Sequence, residues 1–235
     1  MYSLDAPTVG LIYALLSIGL AAFVAIASRQ AEGQRGFAEW TLASVSLAAA
    51  FPINFLQTEL PLGFAIGVSN FLFMLGWCFH YCAIRTFFGH RHARGMYWKW
   101  PWLVALFHGV LMTWLAVGME SVAARLFVFN GAGMLTMALA ALAVRTPAHG
   151  ALRTAARLTR SIFALTAMLY ACRVLWFAFM GTPSAVTAAI SIQIYVGLAL
   201  SLLQIGATFS FLLMQNFRLN DELRAQADLD VLTGL

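Results

Sequence analysis

Apolar residues fill seven stretches of this chain, separated by short polar breaks. They run Thr8–Ser28, Phe37–Gln57, Pro61–Arg85, Trp100–Val117, Ser121–Val144, Thr159–Met180 and Ser184–Phe217. A helix that crosses a bilayer needs about 20 mostly apolar residues, so each stretch predicts one span. The last exceeds what the bilayer requires and predicts a helix that projects from it. Pro and Gly mark several breaks, at Glu59-Leu60-Pro61, Gly118, Thr146-Pro147 and Gly181-Thr182-Pro183. The pattern predicts an all-α polytopic membrane protein with seven transmembrane helices and no internal repeat.

Composition supports a lipid solvent. Of 235 residues, 62% are hydrophobic and 10% charged, against about 45–50% and about 25% in soluble domains. So short a chain has no aqueous core large enough to hide that surface. The net charge of +5 does not point to nucleic acid, because the basic residues sit in the breaks. Arg29, Arg35, Arg85, Arg91, Arg94, Lys99, Arg145, Arg153, Arg157, Arg160, Arg218 and Arg224, twelve of the fourteen, fall on one side. The other side has Arg125 beside Asp5, Glu59 and Glu120, and Arg173 lies within a span. Positive loops stay cytoplasmic, so the N-terminus is expected outside and the C-terminus in the cytoplasm. Trp40, Trp98, Trp100 and Trp102 are expected at the inner boundary, where amphipathic rings prefer to lie.

Asp5 with no Lys or Arg precedes the first stretch, which predicts no cleavable signal peptide. Cys78, Cys82 and Cys172 all lie in apolar runs, an odd count that predicts no disulfide framework. Lys99, the single lysine, lies in a break and excludes a retinal Schiff base in the last span.

Beyond Phe217 the composition turns polar and helix-favouring, from Leu219 to Asp230, with no Gly or Pro. The end reads Asp230-Val231-Leu232-Thr233-Gly234-Leu235. This resembles the D-x-L-T-G-L that opens GGDEF domains, and Leu223, Ala227 and Asp230 match the L-x-x-x-A-x-x-D spacing of the helix that leads into them. The resemblance covers about a dozen residues and implies the sensor half of a membrane-bound diguanylate cyclase. That family makes cyclic di-GMP from two GTP molecules, each held by one subunit of a dimer. Its GG[DE]EF loop and metal carboxylates lie downstream of the motif, so these residues contain no cyclase site. GTP and Mg belong to the absent domain. The implied organisation is a sensor domain over 1–217, a signalling helix over 218–230 and the opening of a GGDEF domain at 231–235. The resemblance places the protein in the bacterial inner membrane as a homodimer. A small transporter or a passive membrane anchor is the alternative.

Polar groups inside lipid usually face the bundle interior. Asn54, Asn70, Asn130, Arg173 and Gln193 fall in the outer halves of their spans. Thr166, Tyr170, Arg173 and Phe177 share one helical face, as do Asn70, Met74, Trp77 and Tyr81. These spacings predict an aromatic-walled pocket open to the outside, formed by Arg173, Tyr170, Asn70, Asn130, Gln193 and Trp77. Arg173 suits a small anionic ligand, because guanidinium grips carboxylate or phosphate in a fork. Alternatively, Arg173 pairs with Glu59 or Glu120 and holds helices together.

On the last span Gln193, Gly197, Ser201, Gln204, Thr208, Phe211 and Gln215 follow helical spacing. Such a face marks packing within the bundle, or a dimer or signalling face leading through Gln204, Thr208 and Gln215 to Leu219, Leu223 and Gln226. His80 and His108 are expected at similar depth on adjacent spans, an arrangement able to ligate a haem iron. Cys78 and Cys82 lie one turn apart and are weak metal candidates. His90, His92 and His149 are expected in solvated basic loops.

Overall fold

The computed structural model describes residues 6–30, 34–56, 59–89, 99–147, 150–180 and 186–233. Among them the chain forms seven α-helices and no strand. They are α1 (Ala6–Gln30), α2 (Phe37–Phe55), α3 (Leu62–Phe87), α4 (Lys99–Thr113), α5 (Val122–Ala143), α6 (Ala151–Met180) and α7 (Val186–Thr233). A helix satisfies its backbone groups within one segment, which is what a chain so apolar requires in lipid.

Among the described residues five helices are long and apolar enough to cross a membrane: α3, α4 with its extension to Gly118, α5, α6 and α7. The described apolar part of α1, Ala14–Arg29, is shorter. In α2 the run is diluted by Glu39, three residues into the helix, and by Pro52 and Asn54 near its end.

Successive helices pack side by side, α1 on α2, α2 on α3, α5 on α6 and α6 on α7. Helix α3 also reaches α5, and α7 returns to α1. Six helices therefore close a ring, and α4 lies outside it against α3. The outer faces are apolar, with Leu15, Phe107, Leu142 and Leu202 all exposed. A solvated surface would not tolerate that girdle, whereas acyl chains cover it.

Helix α4 ends in a π-turn, Trp114–Gly118. Ser121 then caps α5 by accepting from the Ala124 amide at 3.2 Å. The turn before α2 is fixed by Gly36, whose φ of +86° suits glycine. A Cβ there would also collide with the Ala83 carbonyl of α3.

Candidate functional site

Two layers of side chains inside the ring differ in how they are held. The first lies near the middle of the bundle, on the Glu59 and Glu120 side of the second. Trp77 of α3 and Tyr170 of α6 meet edge to face with ring centroids 5.4 Å apart. Phe129 of α5 lies 5.1 Å from Trp77 and 6.3 Å from Tyr170. Phe73 adds a fourth ring, 5.6 Å from Phe129. Gly133 lets α5 approach, since a Cβ there would sit 3.0 Å from the Tyr170 ring. Asn130 shares that face one turn earlier and is fully buried.

The polar groups of this layer turn back on their own helices. Asn70 Nδ2 donates to the Ile66 carbonyl at 2.8 Å and Asn130 Nδ2 to the Leu126 carbonyl at 2.6 Å. Thr136 and Thr166 do the same within α5 and α6. The carbonyl oxygen of Asn130 is buried and accepts no hydrogen bond among the described residues. Arg173 lies one turn beyond Tyr170, half-buried, with its guanidinium 5.8 Å from the Phe177 ring centre.

Of the predicted pocket, the structure thus joins Trp77 to Tyr170 directly and sets Asn130 beside them. Asn70 lies about two turns from Trp77 along α3. The Gln193 side chain lies outside the described residues.

The second layer lies toward the basic end. Trp40 of α2, one turn into its helix, is fully buried, with its ring turned into the bundle rather than out toward lipid. Its indole stacks on Phe211 of α7 with centroids 4.1 Å apart and planes 7° from parallel. Its Nε1 donates to Thr208 Oγ1 at 3.3 Å, and Thr208 donates in turn to the Gln204 carbonyl. His80 of α3 presents its ring to Trp40, 4.6 Å between centroids, and Phe163 of α6 closes the fourth side.

Gln204 Nε2 lies 3.1 Å from His80 Nε2. The amide and the imidazole share one hydrogen bond between α7 and α3. His80 Nδ1 is buried and makes no hydrogen bond among the described residues.

Trp40 escapes a reading by hydropathy because a bulky ring near a span end looks the same in lipid and in the core. The available signal is the buried series Phe37, Trp40, Ala43, Ser44 and Leu47 at helical spacing, which turns Trp40 inward.

His108 does not share this layer. Its neighbour Gly109 packs against Gly67 and Phe71 of α3, roughly ten residues from His80. At about 1.5 Å per residue the two imidazoles stand roughly 15 Å apart in depth, too far to ligate one iron. Among the described residues no group of three His, Cys, Asp or Glu side chains could hold a metal ion.

Below the second layer α7 leaves the ring through a polar collar. Gln215 Nε2 donates to the Arg35 carbonyl at 2.8 Å. Arg218 Nη1 donates to the Phe87 carbonyl at the end of α3, 3.1 Å away. Its Nε pairs with Glu222 at 2.9 Å. The Phe87 carbonyl is one of those a helix end leaves without an intrahelical partner. Nearby, Thr86 of α3 donates to the buried carboxylate of Glu39 on α2 at 3.0 Å.

Gln204, Thr208 and Gln215 therefore face into the ring, whereas Leu219, Leu223 and Gln226 are exposed beyond it. The side chains of the Asp230–Leu235 motif, and the loops with His90, His92, Trp98 and His149, lie outside the described residues.

Comparison with protein-family models, curated proteins and solved structures finds no match.

Proposed function

We propose that this chain is the seven-span sensory input module of a membrane-bound diguanylate cyclase, with its N-terminus outside and its C-terminus in the cytoplasm. The observation that carries the reading is α7. One helix of 48 residues runs from among the outer polar positions, through the Trp40–His80 layer and the collar, into the polar tail. Its last residues resemble the opening of a GGDEF domain. A helix without a break transmits rotation or displacement, whereas a flexible linker absorbs it.

In this reading the outer layer is the detector. Arg173, Tyr170, Trp77, Asn70, Asn130 and Gln193 meet a small ligand, for which Arg173 suits an anionic group. A ligand shifts a population only through its differential affinity for two arrangements, and here these are two packings of α6 against α7. The lower layer reads that packing because Phe163 of α6 and Phe211 of α7 both touch Trp40. In the parent dimer, Leu219, Leu223 and Gln226 meet their counterparts and set the spacing of two GTP sites.

The test uses the full-length parent in membranes, with cyclic di-GMP output read beside expression level. Arg173→Ala and Arg173→Lys are expected to abolish the response to a stimulus while the basal output persists. A gene that continues past Leu235 into an unrelated domain contradicts the reading. So does normal expression of both variants with a wild-type response.

A further inference from the structure

A groove of about 310 Å³ opens between α3 and α5 at the basic end, lined by Tyr81, Arg85, Leu139, Leu142, Ala143 and Arg145. Its position is the inner membrane boundary in the proposed seven-span topology, on which this inference rests. We infer that the groove binds the phosphate group of an anionic species, with a phospholipid headgroup as the source its walls favour.

Charge and donor geometry support this. Arg85 Nη1 donates to the Tyr81 hydroxyl oxygen at 3.1 Å, and its guanidinium lies 5.6 Å from the Tyr81 ring centre. The phenol accepts from Arg85, so its own O–H points onward as a donor. Arg145 brings a second guanidinium from the end of α5. Two planar donor forks and a hydroxyl around one opening match a phosphate, whose oxygens only accept.

The walls favour a lipid source. Leu142 is 71% exposed and Leu139 42% exposed, and both face the same opening as the arginines. A soluble phosphate gains nothing from such walls, whereas an acyl chain beneath its own headgroup covers them. The volume lies at the lower end of ligand sites, about 300–1,000 Å³. Basic pockets between spans at the cytoplasmic face take anionic headgroups by the same logic.

The test is native mass spectrometry of the intact chain released from nanodiscs of phosphatidylethanolamine with a minority of phosphatidylglycerol. A parallel arm measures binding of inorganic phosphate to delipidated chain. The wild type is expected to retain phosphatidylglycerol selectively, and Arg85→Gln and Arg145→Gln to lower that retention roughly tenfold each. Arg145 is exposed, so Arg145→Gln leaves the core intact and separates binding from folding. Arginine-dependent phosphate binding without selective lipid retention keeps the phosphate site and assigns it a soluble ligand. Wild-type lipid retention and wild-type phosphate binding in Arg145→Gln overturn the inference. Failure of the seven-span reading shows separately, as accessibility of the Arg145 loop from outside intact cells.

Discussion

The two layers of the ring contain similar polar side chains and use them differently. Near the basic end several polar contacts cross between helices, beside the bonds that Thr41, Ser44, Thr159, Thr208 and Ser210 make to carbonyls of their own helices. Trp40 reaches Thr208, Gln204 reaches His80, Thr86 reaches Glu39, and Gln215 and Arg218 grip the backbone of other segments. In the outer layer Asn70 and Asn130, and deeper in α5 and α6 Thr136 and Thr166, each bond to a carbonyl of their own helix. Thr113 is the exception, since it donates to Gly109 of its own helix and lies 3.3 Å from the Gly63 carbonyl of α3. A bond within one helix does not fix its neighbour. The outer layer is therefore joined mainly by ring packing, while the base adds directed bonds between helices to its own ring packing around Trp40. The proposed sensor would use that asymmetry, with a part that repacks above a part that keeps register.

Removing the centre of the base is expected to cost most. Trp40→Ala deletes a fully buried ring and the hydrogen bond it donates to Thr208, a loss of about 3–5 kcal/mol. Thermal unfolding in detergent measures it, and a shift no larger than that of an exposed Leu202→Ala control breaks the contrast. Next is Gly36→Val, which combines an unfavourable positive φ with a collision against the Ala83 carbonyl. It is expected to cost about 1–3 kcal/mol, read by the same melt.

A matched pair then sharpens the comparison. Gln204→Leu removes a bond between helices and leaves His80 without that partner, and is expected to cost about 1 kcal/mol. Asn130→Leu removes a bond that holds no neighbour and an oxygen already unsatisfied. It is expected to be neutral or slightly stabilising. Equal losses in the two melts would show that the outer polar groups also bind helices together.

Much of the helix layout was legible in the sequence. The third apolar stretch begins at Pro61 and the helix at Leu62. The sixth begins at Thr159, yet α6 starts about two turns earlier. Its first turns carry Arg153, Arg157 and Arg160, too polar to read as a span, while Ala155 and Ala156 between them are buried. Hydropathy measures affinity for lipid and is blind to a helix that begins outside it.

Helical spacing put Trp77 and Tyr170 each on a face of its own helix with other polar or aromatic residues, and the structure brings the two rings together. The Trp40–His80–Gln204 cluster did not. It joins three helices across the ring, and spacing along one helix carries no information about which other helix it meets. His80 and His108 appeared level for the same reason, since depth had to be counted from uncertain span ends.

The smallest effect on stability is expected at the collar. Arg218→Leu and Gln215→Leu remove partly solvated contacts, each changing the melt by under about 1 kcal/mol. Their effect on function is expected to be larger: in the full-length parent the variants keep basal cyclic di-GMP synthesis and lose its dependence on stimulus. A normal response in both would mean that α7 does not need to be gripped at its exit.

The central claim is that α7 carries the state of the ring to the cyclase as one rigid helix, and helical phasing tests it most directly. Alanines are inserted one at a time after Ala227 in the full-length parent, and stimulus-dependent cyclic di-GMP output is measured for each length. Every added residue rotates the downstream domain by about 100°. The account predicts that the response collapses with two added residues and returns with four, where the phase is nearly restored. A response that falls off smoothly with length, or does not change at all, contradicts transmission through a rigid helix.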